Sequence, residues 1–362
     1  ALKKALFRAK HDGRRPVLMA TVAPMDEDGY LSLSISSVYE MELVRDGALV
    51  LLEVNSNYPR TFGDTMIHIS EVDALVESDR PVPEVPYSAY DETDAIIGKH
   101  IASLVQDGST IQLGIGNIPN AVANELKTRK HLGIHSEMFT ENMVDLIECG
   151  AVDNSQKGFN DGYSVCSFTM GSQKLYDFLD NNPTVLFKPA TYTNDPYTIG
   201  RNNKFVSINS TLAIDLTGQC ASESVGHMQF SGSGGQAETV QGSQMSPGGK
   251  SIIALHSTYT TKDAEGKEVK KADVYAYVWD FTLPDAPYSA SLFAGWNGRP
   301  EVYDFLLDYN LSDYNLPYAI TDPRADAYMD DPRVTAFVIA GGAAVLGAIA
   351  GALTYFFKKK RK

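Results

Sequence analysis

Two short stretches of the chain hold residue types that could do chemistry. In "LGIHSEMF" a single acid, Glu137, sits between Ser136 and Met138 at the end of an apolar run. A carboxylate there has two readings. It is an acid in the first turn of a helix, held by the positive end of the helix dipole, or it is a carboxylate placed to react. In "STIQLGIGNIPNAVANELKTR" a strand-like run from Thr110 to Leu113 leads into the tight loop Gly114–Ile115–Gly116. Asn117 can cap the helix that carries Val122 and Leu126. Strand, glycine loop and helix start together present backbone N–H groups to an anion, although most such glycine pairs are plain structural turns. Asn209 in "INSTL" and Gln236 in "FSGSGGQAE" read, taken alone, as loop amides that satisfy nearby backbone.

The elements that must position these residues alternate between strand and helix. "PVLMATVAP" and "GALVLLEV" are apolar runs of strand length, and "GYLSLSIS" alternates as a half-buried strand would. "DRPVPEVPYSAYDETD" carries prolines at 81, 83 and 86 and reads as an interdomain linker. In "DAIIGKHIASLVQDG", Ile97, Ile101, Leu104 and Val105 recur at helical spacing before Gly108 stops the helix. "FVSINSTLAIDLTGQ" holds two strand-like runs, and "GGKSIIAL" is a glycine turn feeding a buried strand. Repeated strand–loop–helix units predict an α/β fold with mainly parallel, open sheets flanked by helices. The boundaries predicted are 1–80 for a first domain, 81–94 for the linker and 95–278 for a second domain carrying Glu137. A Tyr-, Asp- and Pro-rich segment follows over 279–333, with an uncharged segment over 334–357 and a basic tail over 358–362.

Bulk properties exclude some classes. The chain has 362 residues, 43% apolar and 21% charged, with a net charge of −14. That is a globular composition with no broad basic field for nucleic acid. Cys149, Cys166 and Cys220 form no CxxC pair, so neither a disulfide framework nor a metal site is expected. "ALKKALFRAKHDGRRP" is basic and polar and carries no secretory signal, and a first residue of Ala is compatible with a fragment of a longer protein. "VTAFVIAGGAAVLGAIAGALTYFF" would make a helix ~36 Å long, against a bilayer core of ~30 Å. It is expected to span a membrane, with "KKKRK" behind it. Gly347 and Gly351 have the spacing that permits close helix–helix approach and a homo-oligomer.

"DGSTIQLGIGNIPNAV", "VLLEVNSNYPRTFGDTMIHISEVD", "LGIHSEMF", "VDLIECGAVDNSQK", "INSTLAIDLTGQ", "FSGSGGQ" and "GGKSIIAL" together resemble the acetyl-CoA hydrolase/transferase family, over residues of about 5 to 257. Within it the likeness is to 4-hydroxybutyrate and butyrate:acetate CoA-transferases. The resemblance implies two open α/β domains, coenzyme A or acyl-CoA as substrate with no permanently bound cofactor, and a short-chain carboxylate as partner. It implies a glutamate, matched by Glu137, that forms a glutamyl-CoA thioester. Only a carboxylate passes through an anhydride and then a thioester. The resemblance also implies CoA-contacting positions at Gly114, Ile115, Gly116, Asn117, Ile118, Leu212 and Gly235, and oxyanion or positioning roles for Asn209, Gly234 and Gln236.

The expected activity is CoA transfer, the alternatives being an acyl-CoA hydrolase or a catalytically inactive, membrane-tethered CoA-binding scaffold, the last suggested by three departures from the family. Part of the family's first domain is missing at the start, and its closing strand and helices are replaced at the end. The family's GGQ loop continues with an aliphatic residue, Asp and Phe, with an Arg soon after. Here Gln236 is followed by Ala237, Glu238 and Thr239, with Gln241 at the Arg position. CoA is an intracellular metabolite, so the expected arrangement is a cytoplasmic globular part with a C-terminal tail anchor, the alternative being a wholly cytoplasmic chain.

Overall fold

The computed structural model describes residues 11–85, 87–215, 218–225, 228–229, 231–262, 267–272 and 274–275. The chain divides into two compact units, Ala1–Leu212 with Ser222–His256, and Ala213–Ala221 with Ser257–Lys362.

In the first unit, apolar runs form a parallel sheet in the order Val17–Val22, Leu49–Asn55, Ala74–Ser78. Alternate residues Leu18, Val22, Val50 and Leu52 are buried with Met41, Leu43 and Val44 of the helix Glu40–Arg45. That helix lies in the crossover which two parallel strands require. "GYLSLSIS" departs from its pattern. Only Tyr30–Ser32 is a strand, antiparallel to Met66–His68, and Ser32 and Ser34 are as buried as Leu31 and Leu33. The serines are tolerated inside because Ser32 Oγ donates to the Thr61 carbonyl at 3.0 Å and Ser34 Oγ to the Pro59 carbonyl at 2.6 Å.

A second parallel sheet of the same unit carries the residues of interest. Its order is Lys250–Ala254, Val206–Ser210, Thr110–Leu113, Gly133–Ile134. A parallel bridge from His135 to Val165 continues it to Ser164–Cys166, and from there to Val185–Phe187 and Phe62–Gly63. Ile111, Leu113, Val206, Ile208 and Ile134 lie in one core with residues of the helices Glu92–Ser103, Asn117–Leu126, Glu141–Glu148 and Gln173–Leu179. Thr110–Leu113 and Val206–Ser210 alternate polar and apolar residues, yet both of their faces are buried, so their polar side chains must find partners inside. Because the strands are parallel, their C-terminal ends share one edge, where open α/β sheets bind ligands. The proline-rich 81–94 segment lies within this first unit. Its Asp91 caps the helix Glu92–Ser103 in a reciprocal capping box with Asp94.

The helix Gln236–Met245 has no apolar stripe in its sequence. It buries small residues instead, Thr239, Gly242 and Ser243. It packs closely on the helix Pro196–Gly200: a Cβ at Gly242 would stand 2.4 Å from Ile199 Cγ2, and one at Gly200 would stand 2.7 Å from Met245 Cβ.

In the second unit, Ala213–Asp215 pairs antiparallel with Cys220–Ala221 and parallel with Val274–Tyr275, and Thr258–Lys262 pairs antiparallel with Glu268–Ala272. The segments 279–333, 334–357 and 358–362, with the expected membrane span and basic tail, lie outside the described residues. Among the described residues no helix is long and apolar enough to cross a membrane.

The close helix contact makes a prediction. Gly242→Val adds a branched side chain where Ile199 already stands, so it lowers stability by about 1–3 kcal/mol. Urea unfolding should show a lower midpoint at an unchanged slope. An unchanged midpoint would mean that the two helices do not pack this closely.

Candidate active site

The structure removes one of the two readings of Glu137. The following helix is Glu141–Glu148 with Thr140 at its N-cap, so Glu137 is not a first-turn acid. It stands on a bend between the strands Gly133–Ile134 and Met138–Phe139, at the C-terminal edge of the sheet. Its backbone is anchored: the Glu137 carbonyl accepts from the N–H of Ser167 at 2.8 Å and of Phe168 at 3.1 Å. Its side chain is half-buried against Gly235. A Cβ at Gly235 would lie 2.5 Å from Glu137 Oε2 and 2.6 Å from Asn194 Nδ2. Only a hydrogen there lets the carboxylate, the amide and the loop backbone share that space.

Among the described residues six buried side-chain polar atoms lack a hydrogen-bond partner. Three of them belong to residues at or next to this bend: His135 Nδ1 and Ser136 Oγ on the strand end before Glu137, and Asn194 Oδ1 of the amide that shares the Gly235 Cβ position with Glu137. Buried polar atoms are nearly always paired, so this stretch is less fully satisfied than the rest of the described interior. His135 Nε2 lies 2.9 Å from the Thr193 carbonyl and donates to it. Burial, and then the nearby Lys157 ammonium, push the His135 pKa down to about 3, against a smaller upward pull from the Thr193 bond. The ring is therefore a neutral strut at neutral pH. It ties the strand end before Glu137 to the segment that presents Asn194. Lys157, pushed down to about 7 by burial with Asp161 opposing, donates to the Ile134 carbonyl at 2.9 Å and the Tyr163 carbonyl at 2.6 Å.

The first glycine loop follows Leu113. The Gly114 N–H donates to the Ile208 carbonyl at 2.8 Å. Gly116, with φ 112° and ψ −174°, is the N-cap of the helix Asn117–Leu126, without a side-chain cap. This corrects the expectation that Asn117 caps the helix. Asn117 Oδ1 instead accepts from Ser88 Oγ at 2.5 Å. A glycine cap leaves the first N–H groups of the helix free of a competing side chain. Ile115 and Leu212 are exposed on this edge, 67% and 42%, whereas Ile118 belongs to the core. Gly234 adopts φ 55° with open space beside it, and Gln236 opens the helix behind Gly235.

Asn209 is not a loop amide. It lies in the strand Val206–Ser210 and pairs with Gln112 in both directions. Gln112 Nε2 donates to Asn209 Oδ1 at 3.0 Å, and Asn209 Nδ2 donates to Gln112 Oε1 at 3.1 Å. The Ser207 hydroxyl lies 3.0 Å from both Gln112 Oε1 and Thr239 Oγ1, and Thr239 Oγ1 donates to the Gln236 carbonyl at 3.0 Å. An oxyanion role for the Asn209 side chain would require breaking this arrangement. Thr239, which stands where the resembled family has Phe, supplies a hydroxyl to it. The sequence reading missed Gln112, His135 and Asn194. A lone amide within the apolar strand "TIQL" was a readable signal for Gln112; nothing local marks Asn194.

Asp91, Asp94 and His256 bring metal-ligand atoms within 4.8 Å of one another. Those atoms already serve the capping box and the His256–Asp94 contact at 2.7 Å. A cavity of about 470 Å³ lined by Gly108, Gln156, Asp161, Asn203 and Lys204 opens at the N-terminal ends of the strands, the edge away from Glu137.

Residues 15–86 match the model of the acetyl-CoA hydrolase/transferase N-terminal domain, and residues 171–276 match that of the C-terminal domain. The chain is 47% identical over 237 residues to a succinyl-CoA:cyclohexane-1-carboxylate CoA transferase of Geobacter metallireducens, covering 66% of this chain and 54% of the relative. It is 43% identical over 256 residues to a 4-hydroxybutyrate coenzyme A transferase of Clostridium kluyveri, covering 70% and 59%. The crystal structure of RipA from Yersinia pestis matches with a TM-score of 0.67 at 41% identity, over 76% of this chain and 61% of that one. The chain thus spans about half the length of the curated relatives it matches.

Two outcomes follow from the geometry. Gln112→Leu and Asn209→Leu each orphan a buried amide and cost about 1–3 kcal/mol. The double variant should lose less than the two singles together, by ~1 kcal/mol or more in a double-mutant cycle. Strict additivity would mean that the amides do not bond. Secondly, His135 titrates near 3 when folded and near 6.5 when free. Between those values the unfolded state binds the extra proton, so stability rises with pH across that window and is fully present above it. Unfolding free energies from urea titrations between pH 4 and 6 should climb more steeply in the wild type than in His135→Gln, by ~1 kcal/mol per pH unit. Equal slopes would place the ring in solvent.

Proposed function

The chain belongs to the acetyl-CoA hydrolase/transferase family, and from that premise we propose that it moves CoA between a short-chain acyl-CoA and a carboxylic acid, with Glu137 carrying CoA in between. The Glu137 carboxylate attacks the thioester carbonyl of the donor. The C–S bond breaks, CoA leaves as thiolate, and an acyl-glutamyl anhydride forms. The thiolate then attacks the glutamyl carbonyl and releases the donor acid, leaving a glutamyl-CoA thioester. An acceptor carboxylate runs the two steps in reverse, so that Glu137 emerges unchanged.

The observation that carries this reading is the contact between Glu137 Oε2 and Gly235, where a Cβ would lie 2.5 Å away. A structural carboxylate does not need a glycine backbone pressed against it; a carboxyl oxygen that acquires charge benefits from donors at that position. Asn194 Nδ2, beside the same Cβ position of this glycine, and the backbone of Gly234, Gly235 and Gln236 are the donors the geometry supports. Gly114–Ile118 and Leu212, on the same sheet edge, suit the CoA chain, with the uncapped start of the helix Asn117–Leu126 facing its anionic groups.

Incubation with acetyl-CoA or butyryl-CoA, followed by hydroxylamine or borohydride, should modify Glu137, as read by peptide mass spectrometry. Glu137→Gln should abolish the label and lower turnover on the order of 10³-fold or more. An unmodified Glu137 in the wild type overturns the covalent route. Hydrolysis differs from transfer only in the acceptor, so a rate that ignores added acetate would make the protein an acyl-CoA hydrolase.

A further inference from the structure

The buried polar side chains between the two glycine loops have a role beyond stability. We infer that Thr239 is a positioning residue: with Ser207, Gln112 and Asn209 it couples the Gly114–Ile118 loop to the Gly235 backbone that touches Glu137. The inference deepens the proposed function and rests on it for its catalytic consequence.

The path is continuous. Beside the first loop, a Cβ at Gly114 would lie 3.3 Å from Asn209 Oδ1, and the Gly114 N–H bonds the neighbouring Ile208 carbonyl at 2.8 Å. Asn209 and Gln112 hold each other, Asn209 Nδ2 donates its second N–H to Ser207 Oγ at 3.0 Å, and Ser207 Oγ donates to Thr239 Oγ1 at 3.0 Å. At the far end Thr239 is bonded twice to the second loop. Its hydroxyl donates to the Gln236 carbonyl at 3.0 Å, and its N–H donates to the Gly235 carbonyl at 2.9 Å. All four side chains are buried, between 0% and 8% exposed.

Stability alone does not call for this arrangement. Replacing bonded polar pairs by apolar groups of the same shape is often close to neutral. What directional bonds add is a defined geometry, because each donor must meet its acceptor for any to be satisfied. Here they run from the strand that ends in Gly114 to the helix that starts behind Gly235. A shift of either loop would orphan a buried group, so the two loops move together or not at all.

The test compares Thr239→Val, which keeps the shape and loses the hydroxyl, with Thr239→Ser, which keeps the hydroxyl. Amide hydrogen exchange, read by mass spectrometry on the full chain, needs no turnover. Thr239→Val should raise exchange at least tenfold in peptides covering both 112–118 and 234–238, leave 17–55 unchanged, and be reversed in Thr239→Ser. Faster exchange at 234–238 alone, or equally fast exchange everywhere, overturns the coupling. Where wild-type Glu137 is labelled by acyl-CoA, Thr239→Val should slow labelling about tenfold and Thr239→Ser restore it to within threefold; wild-type labelling rates in Thr239→Val also overturn the inference. Absence of label in the wild type speaks against the covalent route and leaves the exchange measurement to decide the coupling.

Discussion

The amides of Gln112 and Asn209 bond to each other in both directions across two parallel strands. That pair constrains what surrounds it. Register in this sheet places Ser207 opposite Gln112 and Ile208 opposite Leu113, so Asn209 arrives beside Gly114. A slip of one residue would send every side chain to the other face and leave two carboxamides buried without partners. Apolar side chains along these strands would tolerate such a slip far better, because Val, Ile and Leu exchange places at modest cost. The polar pair therefore specifies the alignment that the apolar core only permits.

A second set of contacts does the same for the opposite wall of the site. Gly200 and Gly242 bring the helices Pro196–Gly200 and Gln236–Met245 into close contact, and these helices begin next to Asn194 and Gly235. His135 holds the Thr193 carbonyl, and the hydroxyls of Thr193 and Ser167 bond to each other. The backbone on either side of Glu137 and Asn194 is thus fixed by groups that do not themselves face the carboxylate. Burying a neutral histidine makes folding sensitive to acid, and the return is a side chain whose direction does not change near neutral pH.

Much of the scaffold was readable without coordinates. The strand-like runs at 17–22, 49–55, 110–113, 206–210 and 250–254 are strands, and the α/β class with mainly parallel sheets follows from their alternation with helices. Where the reading failed, the reason lies in partners distant along the chain. "GYLSLSIS" looked half-exposed, since alternation assumes that serines face water; here Thr61 and Pro59 supply acceptors inside. The helix Gln236–Met245 was invisible because its buried face consists of small residues fitted to another helix, and periodicity registers hydrophobicity rather than closeness.

The same division runs through the site. Residue types and their order along the chain were enough to select Glu137 and the glycine loops as candidates, since the chemistry of a carboxylate and the freedom of a glycine belong to the residue itself. Whether Glu137 opened a helix, whether Asn209 faced a ligand or another side chain, and whether Gly235 was a turn or a contact could be decided only in three dimensions. Each depends on which strands are neighbours and on where a Cβ would collide. Parallel strand order brings residues far apart in sequence to one edge, and no local pattern records that order.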